Sequence, residues 1–205
     1  MLGTALLGST FAPATEPPAA APSAQQLLDQ AGRDLPFDPQ LAAVSCPVER
    51  GPVKEGADAD RNRVSSTLVS TTVAALRTRP KPATYPKNNR VTDTEFHVWA
   101  ITAYLTQYRE ESDGDIHLVI KDSAGRSMIA EMSYGACVPS TSRWRTAILS
   151  ARATFGHTYA LSTSWHYVHN LVDLHGVGYL DTLHGQTGVA PNGVELHPVT
   201  YVHFH

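Results

Sequence analysis

Between residues 95 and 204 apolar and polar positions alternate, whereas between residues 58 and 80 apolar residues recur every three or four positions. Alternation sends successive side chains to opposite faces of a strand, and the wider spacing stacks side chains along one stripe of a helix. The alternating part predicts strands over 95–109, 115–121, 127–133, 169–182 and 193–204, with the turn Asp122-Ser-Ala-Gly-Arg126 joining the second to the third. Trp144, Ile148, Ala151 and Phe155 predict a helix over 141–155. In the N-terminal part Val64, Leu68, Val69, Val73, Ala75 and Leu76 predict an amphipathic helix over 60–78, capped by Asp58 or Asp60 and stopped before Pro80.

Three strands, a helix and two strands in about 110 residues is the order of an OB-fold, a five-stranded barrel with its helix between strands three and four. The expected fold class is therefore mainly β (α+β), an OB-fold-like barrel over 90–205 preceded by a helical arm over 25–89. Residues 25–45 hold at most a short helix around Leu27 and Leu28, limited by Pro36 and Pro39. Residues 12–24 are a Pro/Ala linker with too few large apolar side chains to offset the entropy of ordering. The leader over 1–24 reads as the apolar end of a secretory signal, which points to a secreted or envelope location.

If the hairpin turns about Ala124, Ile116 faces Met132, Leu118 faces Ala130 and Ile120 faces Met128 on one side of the sheet. On the other side His117 faces Glu131, with Asp115 opposite Ser133. Glu195 and His197 share a face of the last strand, Asp181 ends the strand before it, and the loop His184-Gly-Gln-Thr-Gly-Val-Ala-Pro-Asn192 joins the two. An OB-fold binds ligands on this outer face and its loops. The candidate ligand-binding residues are therefore Asp115, His117, Glu131, His184, Gln186, Asn192, Glu195 and His197.

The chain carries 16 Lys and Arg against 19 Asp and Glu, but residues 90–205 hold seven against eleven. A groove that follows nucleic-acid phosphates needs clustered basic residues, so the charge argues against a nucleic-acid partner. No stretch reaches the ~20 apolar residues that span a bilayer. Cys46 and Cys137 are the two cysteines, and in an exported chain they most simply form one disulfide. Of the ten histidines, His157, His166, His169, His203 and His205 read as surface residues.

Three chemistries fit the polar cluster. Asp115, His117 and Glu131 could ligate a divalent cation, with Gln or Asn behind them. His117 and Glu131, with His184, could instead serve as general acid and base in a hydrolase. The cross-strand pair could equally be a solvated His–Glu contact, with the 184–193 loop set by its own Asn and Gly turns. Two further features divide similarly. Trp165-His-Tyr167 is a stacking platform or ordinary barrel packing. The Glu110-Glu-Ser-Asp-Gly-Asp115 run lacks EF-hand spacing and reads as an acidic turn.

Several stretches resemble a family of small, often exported bacterial proteins: Cys46-Pro-Val-Glu-Arg with the following Val-Lys, Asp113-Gly-Asp-Ile-His-Leu, Met128-Ile-Ala-Glu, Cys137-Val, and the stretch from His184 to Val199. The likeness spans residues 45–204 and implies a shared fold without an activity. Asp113-Gly-Asp115 also resembles the opening of a strand in OB-folded thermonucleases. There Ile116 stands where a threonine is usual, and Glu131 lies in a strand where an arginine is wanted. The leading expectation is a binding module with an unknown extracellular or envelope ligand; the alternative is a metal-dependent hydrolase of phosphodiesters on the same face.

Overall fold

A computed structural model describes residues 45–205, so the leader, the linker and the Leu27–Leu28 segment lie outside the described residues. Six strands make one sheet: β1 (Leu68–Ser70), β2 (Val98–Glu110), β3 (Ile116–Lys121), β4 (Ser127–Met132), β5 (His166–Leu180) and β6 (Val194–Phe204). β2, β3 and β4 form an antiparallel meander. β4 runs parallel to β6, β6 pairs antiparallel with β5, and β5 pairs antiparallel with β2, closing a ring of five strands. The mostly-β α+β class read from the patterns is the one observed.

The long β2 serves two partners because it bends. A register shift between Leu105 and Gln107 interrupts its ladders with both β3 and β5, as a bulge does where a strand must curve. In the hairpin, Ile116 pairs with Met132, His117 with Glu131, Leu118 with Ala130 and Ile120 with Met128, the register expected from the alternation. Ile116, Leu118, Ile120, Met128, Ala130 and Met132 enter the core together with Leu174, Leu196 and Val199. The helix α3 (Arg145–Thr158) starts four residues later than its spacing implies and adds Ala151 and Phe155 to the same core.

The 60–78 helix is not formed, and the segment is instead a 3₁₀ turn at Arg61–Arg63, strand β1, and the single-turn helix α2 (Val73–Leu76). The apolar spacing is real, since Val64, Val73 and Leu76 are buried, but other interactions win along the backbone. Hydroxyl side chains compete for helical hydrogen bonds: Ser65 Oγ accepts from Thr67 N at 3.2 Å and Thr72 Oγ1 caps Ala75 N at 3.1 Å. Leu68–Ser70 then pairs in parallel with Val98–Ala100 on the edge of β2 that β3 does not reach. Asp58 is not a cap but a buried partner of Arg90, 2.8 Å away.

The arm is fastened to the ring covalently and ionically. Cys46 and Cys137 are disulfide-bonded with Cα atoms 5.4 Å apart, as expected from the cysteine count. Arg50, just before the short helix α1 (Gly51–Lys54), forks onto Glu95 at 2.7 and 3.1 Å and donates to the carbonyl of Leu180 at 2.8 Å. Among the described residues no helix is long and apolar enough to cross a membrane.

Candidate functional site

The residues of β3 that point away from Leu118 are His117, Val119 and Lys121, and the strands beside it continue the same face. The parallel register sets Ile129 beside Glu195 and Ala130 beside Leu196, so one step further His197 comes alongside Glu131. The strand alternation thus gathers His117, Glu131, Glu195 and His197 on the side opposite the core. Asp115 joins them from the turn before β3, where its Oδ1 accepts the Tyr134 amide at 2.6 Å.

This face is not solvated. Asp115, His117, Glu131, Glu195 and His197 are all buried. The 181–193 loop folds back over the strand: Gly188 adopts φ +86°, and a Cβ there would lie 2.6 Å from Val119 Cγ1. That close approach brings the Thr187 carbonyl to 2.9 Å from His117 Nε2. The arm supplies the other wall. Lys54 lies under strong influence of Glu131, Glu195, Asp181 and Asp115, which outweigh its burial and hold its ammonium above the ordinary range.

Between arm and loop a cleft of about 370 Å³ remains open. Glu49, Glu111, Asp113, Glu131 and Asp181 contribute carboxylates to its lining, against the cations Lys54 and Arg109. His117 stands at the floor between two carboxylates, with Nδ1 2.9 Å from Glu131 Oε1 and 3.5 Å from Glu111 Oε1. Trp165 meets the imidazole edge-on at 5.4 Å and carries the Arg109 guanidinium at 4.7 Å. Behind the floor, His197 Nδ1 lies 3.0 Å from Glu131 Oε2 and Nε2 3.3 Å from Asp115 Oδ2.

The electrostatics follow from a surplus of buried carboxylates. Burial would depress the His117 imidazole, but Glu131, Glu111 and the Thr187 carbonyl overcome it and raise the group. Burial likewise opposes charge on His197, yet Asp115 and Glu131 push it up to about 10. Glu131 is driven the other way: the hydrogen bond from His117 and the charge of His197 overcome its burial and hold it well below the usual carboxylate range. Glu195 is pushed well above that range by burial and by the charges on Glu131 and Asp181. Burial and the Asp115 charge raise Glu55 to about 7 and also raise Asp113.

Of the candidates read from the sequence, His117, Glu131, His184 and Gln186 line the cleft, while Asp115, Glu195 and His197 lie in the buried layer beneath it. His184 is exposed at the rim, 3.5 Å from Asp181 Oδ2, and Gln186 donates to that carboxylate at 2.9 Å. Asn192 is elsewhere. Its amide donates to the carbonyls of Leu76 and Arg79 at 2.9 and 3.0 Å, fastening the end of the arm. Lys54, Glu111 and Asp113 were missed as site residues, because the acidic run reads as a turn and a lysine 60 residues upstream carries no pattern. Of the Trp165-His-Tyr167 stretch, His166 stacks on Tyr108 with centroids 4.7 Å apart, and Tyr167 is exposed.

Among the described residues, two groups of side chains have ligand atoms within 4.8 Å of one another: Glu111, His117 and Glu131 at the floor, and Asp115, Glu131 and His197 beneath it. Compared with protein-family models, with curated proteins and with solved structures, the chain finds no match.

Proposed function

We propose that the chain is an exported binding module of the OB-fold type, which captures a cationic group in the acidic cleft between its arm and its ring. The element order and the closed succession of pairings support the OB-fold reading, and the disulfide supports an oxidising compartment. The observation that favours binding over hydrolysis is the engagement of His117. One ring nitrogen meets Glu131 and the other donates to the Thr187 carbonyl, so the imidazole presents no free lone pair to a substrate in the cleft. A general base needs such a lone pair; an electrostatic wall does not.

Turnover and binding separate the readings. The protein should hydrolyse neither bis(p-nitrophenyl) phosphate nor p-nitrophenyl acetate above the buffer rate, while spermidine should shift amide resonances of residues 111–117 and 184–188. Turnover lost in His117→Gln would overturn the binding reading. The hydrolase alternative rests on the His184–Asp181 pair at the rim, 3.5 Å apart, which is the one histidine of the cleft with an exposed ring.

A further inference from the structure

We infer that the cleft floor is a site for one divalent cation ligated by Glu111, His117 and Glu131, with Asp115 acting through His197 to hold Glu131 in place. This rests on the cleft being the binding site, and it names the cation. Metal–ligand bonds of about 2.1 Å set neighbouring ligand atoms roughly 3.0–3.4 Å apart in octahedral or tetrahedral arrays. His117 Nδ1 stands 2.9 Å from Glu131 Oε1 and 3.5 Å from Glu111 Oε1, close to those edges.

The tautomer of His117 fits the same role. A carbonyl oxygen can only accept, so the contact with Thr187 at 2.9 Å fixes the proton on Nε2. In the metal-free chain Nδ1 donates to Glu131, and an arriving cation displaces that proton and takes up the Nδ1 lone pair beside both carboxylates. A ligating imidazole whose second N–H is held by a backbone carbonyl is the usual arrangement around a bound metal. The carbonyl comes from a loop outside the cluster, placed there by the contact of Gly188 with Val119.

The deeper group serves as a brace. His197 meets Glu131 with one ring nitrogen and Asp115 with the other, so both ring nitrogens already face carboxylates. These contacts are ion pairs and not aligned hydrogen bonds: both nitrogens of His197, Asp115 Oδ2 and Glu195 Oε2 are buried without a hydrogen-bond partner. Such groups are rare because burial strips them of water. The carboxylates that line the cleft outnumber its cations, and that surplus favours an added cation on the other oxygen of Glu131.

Glu111 is about a quarter exposed at 27%, so an ion can enter, and three protein ligands leave coordination positions open to water or to a bound group. One imidazole among the ligands favours Zn²⁺ or Mn²⁺ over Ca²⁺, which prefers oxygen alone. Arg109 competes for Glu111, holding the same Oε1 at 2.8 Å.

The test uses the full chain, stripped with EDTA and dialysed, titrated calorimetrically with ZnCl₂ and with MnCl₂. The expected result is one ion per chain. Affinity should fall at least tenfold in Glu111→Gln and His117→Gln, and about tenfold with unchanged stoichiometry in Asp115→Asn. His157→Ala, a surface histidine on α3, should bind as the unaltered chain does. Circular dichroism checks that each variant is folded, and Glu111→Gln, at a partly exposed carboxylate, keeps the test decisive if a buried variant is not. Absence of binding with both ions, or equal affinity in Glu111→Gln and the unaltered chain, overturns the inference. If spermidine still shifts the cleft resonances, the binding reading survives that failure; if ions bind and only the loaded protein turns over phosphodiester, the binding reading falls and the cation site stands.

Discussion

Two buried polar regions meet the arm and differ in one respect. Where the arm is locked, Arg50 forks onto Glu95 and Arg90 forks onto Asp58, and the guanidinium groups reach the carbonyls of Leu180, Asn89, Pro86 and Val53 as well. Each charge there meets an opposite charge in a planar, bidentate geometry. Around Glu131 the burial is as deep, yet carboxylates outnumber cations and several polar atoms lack a partner. The contrast separates a clasp from a site. Full pairing makes a rigid joint with nothing left to bind, whereas incomplete pairing costs stability and leaves capacity for a ligand.

Breaking the clasp should cost most. Arg90→Ala strands a buried Asp58 carboxylate and should destabilise the fold by about 3–5 kcal/mol, read from urea unfolding. A loss under 1 kcal/mol would place the arm outside the cooperative unit. Next comes the covalent link: Cys46→Ser with Cys137→Ser reopens a loop of 91 residues and should cost about 2–4 kcal/mol. Calorimetric melting with and without reductant checks this, since reductant should leave the double variant unchanged.

The site should respond more weakly and with mixed sign. Gly188→Ala puts a Cβ against Val119 at positive φ and should cost about 1–3 kcal/mol. It should also shift the His117 ring signals as the Thr187 carbonyl withdraws. Glu55 should show the opposite behaviour. Its folded-state carboxyl is raised to about 7, from burial and the Asp115 charge, so the native state holds the proton more tightly than the unfolded chain. That contribution is complete below the unfolded value and is lost as pH rises through about 7. In EDTA, Glu55→Gln should therefore be more stable than the unaltered chain at pH 8 by about 1–2 kcal/mol and should converge with it below pH 4. Parallel stability curves over that range would mean the site is already electrostatically compensated.

How far the sequence could be read depended on the range of the interaction. The hairpin register follows from alternation about a short turn, so His117 opposite Glu131 was legible residue by residue. The stretch from His184 to His197 was legible as a place where polar residues gather, though Asn192 turned out to fasten the arm. The 60–78 segment misled because a three-and-four spacing of Val64, Val73 and Leu76 can be buried by a broken path as well as by a helix. Lys54 and Glu111 were illegible as site residues, since neither stands in a local pattern that marks it.

The sequence by itself determined the mostly-β class, the pairing of β3 with β4, the disulfide partners and the face on which histidines and carboxylates meet. Those depend on neighbours in the chain, on the two-residue period of a strand, or on a choice between two cysteines. Only the tertiary structure decided that the polar face is covered, that Glu111 and not Asp115 stands beside His117 Nδ1, and that Asp115 acts at one remove. The physical reason is that burial and charge compensation are set by segments far apart in sequence, here the arm and the 181–193 loop closing over the same strands.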